Sequence, residues 1–175
     1  MPIRSVAFCS EAKAVEMQPL PQQLLISITE PGRSVPLSES WRKVLRYEFL
    51  DSEYDKQSLQ FAGIDWWIAS GAISPIQAER IRADLKAVHQ DASATDLVVH
   101  CHAGESRSAA VAQYVSETFM AAMPQGLSRK ANRTVLSLLR DPWCIVPREE
   151  FDRVMGSGGW ARATAGFLRG LLCRD

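Results

Sequence analysis

The sequence predicts an α/β domain: a central, mostly parallel sheet flanked by helices. Three observations carry this. Apolar runs of strand length alternate with helical stretches through the first two-thirds of the chain, and helices dominate the last third. One run, DLVVH (96–100), is continuously apolar, as a strand covered on both faces must be. The 175 residues suffice for one real core, so the whole chain, 1–175, is read as a single domain.

The elements follow in order. SVAFCS (5–10) and LLISIT (24–29) read as strands, with EAKAVEM between them as a helix. EPGRSVPLSES carries Pro and Gly and reads as a loop. WRKVLRYEFLD (41–51) alternates Val44 and Arg46 with Leu45, Tyr47 and Phe49, a strand pattern. The stretch 52–72 fits no single element and reads as an insertion beside the site. Ser74, Pro75 and Gln77 then form a helix start with a capping box, followed by Ala78, Ile81, Leu85 and Val88 on one face. After DLVVH comes an apolar helix over 108–120. Ser128 is the expected cap of a further helix carrying Val135, Leu138 and Leu139 and ending before Pro142. PREEFDRVM and ARATAGFLRGLL read as two more helices around GSGG (156–159).

Twenty basic and twenty acidic residues cancel, with a pI near 6.8, so global charge gives no reason to expect nucleic acid or an anionic membrane as partner. No apolar run approaches the roughly 18 residues of a membrane span. The N-terminal stretch MPIRSVAFCSEAKAVEM is a poor secretory signal. Cys9, Cys101, Cys144 and Cys173 are scattered without a CxxC pair, which argues against a zinc ribbon or disulfide scaffold and for free thiols in a reducing cytoplasm.

The chemistry concentrates in VVHCHAGESRS (98–108). A lone cysteine at a strand end is ordinarily a buried small hydrophobe. Here it stands where a strand opens into a short loop that leads into a helix. Such a loop can turn several N–H groups of residues 102–106 inward and add the helix N-terminus, which makes an anion site. Ala103 and Gly104 keep the loop small enough for a ligand to approach. Arg107 supplies a planar fork matched to two phosphate oxygens. Cys101, at the base of this cradle, is expected to be a thiolate at neutral pH. A thiolate beneath a bound phosphoryl group is an in-line nucleophile. The HCH string does not suggest a metal site, because consecutive strand residues face opposite ways and the remaining histidine, His89, lies on a helix.

HCHAGESRS resembles the H-C-x5-R-S signature of cysteine-dependent protein tyrosine phosphatases, and is most similar to their compact dual-specificity branch and its bacterial relatives. LISITEPG and LRYEFLD also look like bacterial members. The resemblance implies a protein tyrosine phosphatase-like fold and a cysteinyl-phosphate intermediate, with no metal or organic cofactor. It implies Cys101 as nucleophile and Arg107 as phosphate and transition-state ligand. Ser108 would stabilise the departing thiolate, and His100 would orient the cysteine region through a hydrogen bond. His102, Ala103, Gly104, Glu105 and Ser106 would complete the phosphate cradle.

In that family an aspartate on a separate loop protonates the leaving group. Asp51, at the end of the strand LRYEF, stands where this acid belongs; Asp55 and Asp65 are the alternatives. Glu105 places a carboxylate within the anion loop, or else points outward to a nearby base. A loop without lysine suits a phosphorylated protein or a small phosphomonoester better than a polyphosphorylated inositol. Trp66 and Trp67 are core or loop anchors that could wall the pocket. Two other readings stand beside the phosphatase. One is a catalytically weak phosphopeptide-binding module. The other is a sulfur-transfer or arsenate-reducing enzyme using the same thiolate loop.

Overall fold

Leu97 to Cys101 are all buried, and so are Leu24 to Thr29; neither run alternates with exposed residues. Both form central strands of one sheet, because only strands covered on both faces can bury every side chain. The computed structural model describes residues 3–91 and 96–156. Its sheet contains β1 (Ser5–Ser10), β2 (Gln23–Thr29), β3 (Lys43–Glu48) and β4 (Asp96–Cys101) in the order β1-β4-β2-β3. All three pairings are parallel. The edge strand β3 exposes Lys43, Arg46 and Glu48 and buries Tyr47, the pattern of an edge.

Side-chain alternation divides the core. Leu97, Val99 and Cys101 of β4 and Leu24, Ile26 and Ile28 of β2 belong to the larger cluster. Helices α4 (Pro75–Gln90), α5 (Arg107–Phe119) and α6 (Arg133–Arg140) bury their apolar faces in that cluster. Val98 and Leu25 point to the opposite face, where they pack with Cys9, Trp41 and Ala14 of α1 (Glu11–Glu16). This period of two decides which residues of the β4 end can meet α5.

The capping box of α4 forms as its sequence predicts. The Ser74 amide donates to Gln77 Oε1 at 2.9 Å, and the Gln77 amide donates to Ser74 Oγ at 3.2 Å. Residues 52–72, which fit no single element, fold into α2 (Lys56–Ala62) and α3 (Ile64–Ala69), with Gly63 at φ +81° making the break between them. Trp67 is 1% exposed within the core, and Trp66 packs edge-on against Tyr54 at 5.8 Å. The helix expected at PREEFDRVM is α7 (Arg148–Val154). The one expected at ARATAGFLRGLL lies outside the described residues, as does Cys173.

One cap is corrected. Asn132, not Ser128, begins α6: its Oδ1 accepts from the Val135 amide at 2.9 Å. Ser128 donates to the Glu105 carbonyl at 3.0 Å instead, because it lies a turn too early to reach the free amides of the helix. No helix of the described residues is long and apolar enough to cross a membrane.

Candidate active site

Four parallel strands deliver their C-terminal ends to one edge of the sheet, the edge where open α/β sheets bind ligands. Glu11 follows β1 there, Glu30 and Arg33 follow β2, Phe49 and Asp51 follow β3, and the loop 102–106 follows β4.

Cys101 is the last residue of β4 and faces the α5 side, so its Sγ lies 3.1 Å from Ser108 Oγ in the first turn of α5. The thiol forms the floor of the loop, with 1% of the residue's surface exposed. His100 faces the other way. Its Nε2 lies 2.8 Å from Ser27 Oγ on β2, and burial pushes its pKa down, so the ring is neutral at pH 7. The hydrogen bond expected to orient the cysteine region therefore ties β4 to β2 on the far face of the sheet, as alternation along a strand requires.

The loop shows what holds it in shape. The His102 carbonyl accepts from the Glu11 amide, the Glu105 carbonyl from Ser128 Oγ, and the Ser106 carbonyl from the Asn132 and Ala110 amides. Among the described residues, no backbone amide of 103–106 donates a hydrogen bond. At Gly104, φ is +74°, and a Cβ there would lie 2.2 Å from the Ser10 nitrogen. Gly104 is thus required because the loop rests on the end of β1. Ser106 is the N-cap of α5 but makes no capping bond. Its hydroxyl donates to Asp51 Oδ1 at 2.7 Å, which leaves the positive end of a 13-residue helix without a side-chain acceptor.

Arg107 is 2% exposed. One edge of its guanidinium is engaged: Nη1 donates to the Phe49 carbonyl and Nη2 to Glu30 Oε1, both at 2.7 Å. Nε is buried and has no hydrogen-bond partner among the described residues; Asp51 Oδ2 lies 3.9 Å away. Burial works against the charge on Glu30, but hydrogen bonds from Arg107 and Arg33 hold its carboxyl down to about 2. Arg33 also pairs with Glu11, and its Nη1 lies 3.4 Å from His102 Nδ1.

The structure sorts the three aspartates. Asp51 is at the loop, bonded to Ser106. Asp55 is the N-cap of α2, where the Ser58 amide and hydroxyl hold its pKa below the ordinary carboxylate value. Asp65 sits in the first turn of α3. Glu105 points outward to Lys130 at 2.6 Å, on an exposed pair. His102 and Ala103 form the exposed rim.

Sequence reasoning missed Glu30, which lies 77 residues from Arg107, and Asn132. The signal for Asn132 was local: an asparagine directly before a helical apolar period is a cap. Cavities of about 610 Å3 between α4 and α5, and of about 600 Å3 between the α2–α3 pair and α7, include neither Cys101 nor Arg107 in their walls. The arrangement of donors, not pocket size, marks the candidate site. Comparison with protein-family models, with curated proteins and with solved structures finds no match for this chain.

Proposed function

We propose that this chain is a phosphomonoester hydrolase of the cysteine-dependent protein tyrosine or dual-specificity phosphatase type. The observation that carries the reading is the set of donors next to Cys101 in the chain that have no hydrogen-bond partner among the described residues: the 103–106 amides, the uncapped start of α5 and the buried Nε of Arg107. A buried guanidinium nitrogen with no acceptor is costly unless an anion supplies one. A tetrahedral phosphate dianion supplies several acceptors at once.

The reaction then runs in two steps. The Cys101 thiolate attacks phosphorus, forming the S–P bond as the P–O bond to the leaving group breaks. The leaving oxygen takes the proton of Asp51. Water next attacks phosphorus and gives a proton to the Asp51 carboxylate. The S–P bond breaks, phosphate departs, and the thiolate is restored with Ser108 Oγ as its hydrogen-bond donor. Arg107 holds the equatorial oxygens through both steps, with Glu30 and the Phe49 carbonyl fixing its plane. Electrostatic stabilisation of this kind is commonly the largest single contribution to such rates.

The test is Cys101→Ser, assayed with a phosphotyrosine peptide and with an aryl phosphate. A hydroxyl does not ionise near neutral pH, so turnover is expected to vanish while peptide binding persists. Steady turnover by this variant removes the covalent mechanism. Binding without turnover by the wild-type chain makes it a phosphopeptide-binding module instead.

A further inference from the structure

Residues 51–54, which follow β3, lie against the start of α6 residue by residue. Asn132 Nδ2 donates to Asp51 Oδ1 at 2.8 Å and to the Ser52 carbonyl at 3.2 Å. The Arg133 amide donates to Glu53 Oε1 at 2.8 Å. Thr134 Oγ1 accepts from the Tyr54 amide at 2.5 Å and donates to the Tyr54 carbonyl at 2.9 Å. The same start of α6 is joined to the phosphate loop, because the Asn132 amide donates to the Ser106 carbonyl at 3.2 Å.

Asn132 is the centre of this arrangement. It is 1% exposed, and each polar group of its side chain has a defined partner: Oδ1 caps α6 through Val135, and Nδ2 bridges Asp51 and Ser52. Asp51 Oδ1 thus accepts two hydrogen bonds, from Asn132 and from Ser106. Its other oxygen, Oδ2, makes no hydrogen bond among the described residues and lies 3.9 Å from Arg107 Nε. One oxygen is anchored and the other faces the nitrogen that would hold the phosphate.

We infer that Asn132 is a positioning residue that locks the loop 51–54 onto α6, so that Asp51 presents Oδ2 to the leaving group before substrate arrives. The inference rests on the phosphatase reading and adds to it a mechanism for holding the acid. An acid held in place avoids the ordering cost that a free loop meets at each turnover. Asn132 acts through Asp51 and touches no reacting atom.

Two substitutions separate this role from the cap. Asn132→Ser keeps an acceptor for the Val135 amide but cannot reach Asp51. Asn132→Asp keeps the shape and the cap, and sets a carboxylate against Asp51 Oδ1 in place of a donor. Asn132→Ser is expected to melt within about 3 °C of wild type, since the cap survives; Asn132→Asp should melt lower at neutral pH and recover as pH falls, because its buried carboxylate faces that of Asp51. Both should lose about tenfold or more in kcat with phosphotyrosine peptide, but less than about threefold with an aryl phosphate whose leaving group needs no proton. In Asn132→Asp the basic limb of the pH profile should move to higher pH, because a neighbouring carboxylate favours the protonated form of Asp51. In an Asp51→Asn background, Asn132→Ser should add almost nothing, as expected for two residues acting as a unit.

Equal losses on both substrates, or an additive double variant, would overturn the positioning role. If Asn132→Ser does not fold, Asn132→Asp and its pH limb decide alone. Should Asp51→Asn show the leaving-group pattern and neither Asn132 variant share it, only this inference falls. Turnover that survives Cys101→Ser removes the phosphatase reading and the inference together.

Discussion

Nη2 of Arg107 donates to Glu30 Oε1 at 2.7 Å, joining the start of α5 to the loop after β2. The arginine side chain is 3% exposed and the glutamate side chain 34%, so a buried cation leans on a carboxylate that still reaches water. A second 2.7 Å bond, to the Phe49 carbonyl, leaves the plane of the guanidinium little freedom. Nε is thereby left beside Asp51, 3.9 Å from Oδ2.

Glu30→Gln is expected to lower kcat/KM by about tenfold, roughly 1.4 kcal/mol, because an amide keeps the contact but not its charge-assisted strength. The pH dependence has a definite sign. The folded carboxyl titrates at about 2, below its ordinary 4.5. A depressed pKa contributes stability that is fully present above the unfolded value and is lost as pH falls through the folded one. Melting curves of wild type and Glu30→Gln should therefore differ most above about pH 5 and converge toward about pH 2. A gap that stays constant over that range would show that the charge on Glu30 contributes nothing.

Gly104→Ala should damage the molecule far more than Gly32→Ala, although both glycines have positive φ, +74° and +76°. An added methyl at 104 meets backbone at 2.2 Å, from Ser10, and nothing at 32 lies within 4 Å. The φ penalty alone is on the order of 1 kcal/mol, which in a chain of this size is about 2–4 °C in melting temperature. Gly32→Ala should show about that loss. Gly104→Ala should exceed it, since the loop can no longer rest on β1. Similar melting temperatures for the two would mean that the contact with β1 does not set the loop.

Iodoacetate, a small anion, should alkylate Cys101 before Cys9 and Cys144, and inorganic phosphate should slow it. Burial pushes the thiols of Cys9 and Cys144 up, so both stay protonated at neutral pH. On the proposed reading, the 103–106 amides and Arg107 Nε, which have no hydrogen-bond partner among the described residues, draw an anion to Cys101. Its 1% exposure makes the reaction depend on entry through the loop, not on an open thiol. Peptide mapping after brief labelling decides the order; first modification at Cys9 or Cys144 would count against an anion cradle at 102–106.

What the sequence by itself determined are the features written within one element or across one turn. Apolar runs of strand length placed β1, β2 and β4, alternation placed β3, the capping box placed the start of α4, and the spacing of Cys101 and Arg107 placed a strand end and a helix start around a five-residue loop. Each is a matter of neighbours a few residues apart, and backbone geometry alone relates them. Tertiary structure decided the rest. The strand end favoured Asp51 and left Asp55 and Asp65 as alternatives; only the packing of 51–54 on α6 brings Asp51 to Ser106, while Asp55 caps its own helix α2. Glu105, ambiguous in sequence, turns out to Lys130. Glu30 carried no local mark, because its partner is 77 residues away. The physical reason is the parallel sheet: it gathers the C-terminal ends of four strands at one edge, so residues remote in the chain become neighbours through strand order, which local periodicity does not record.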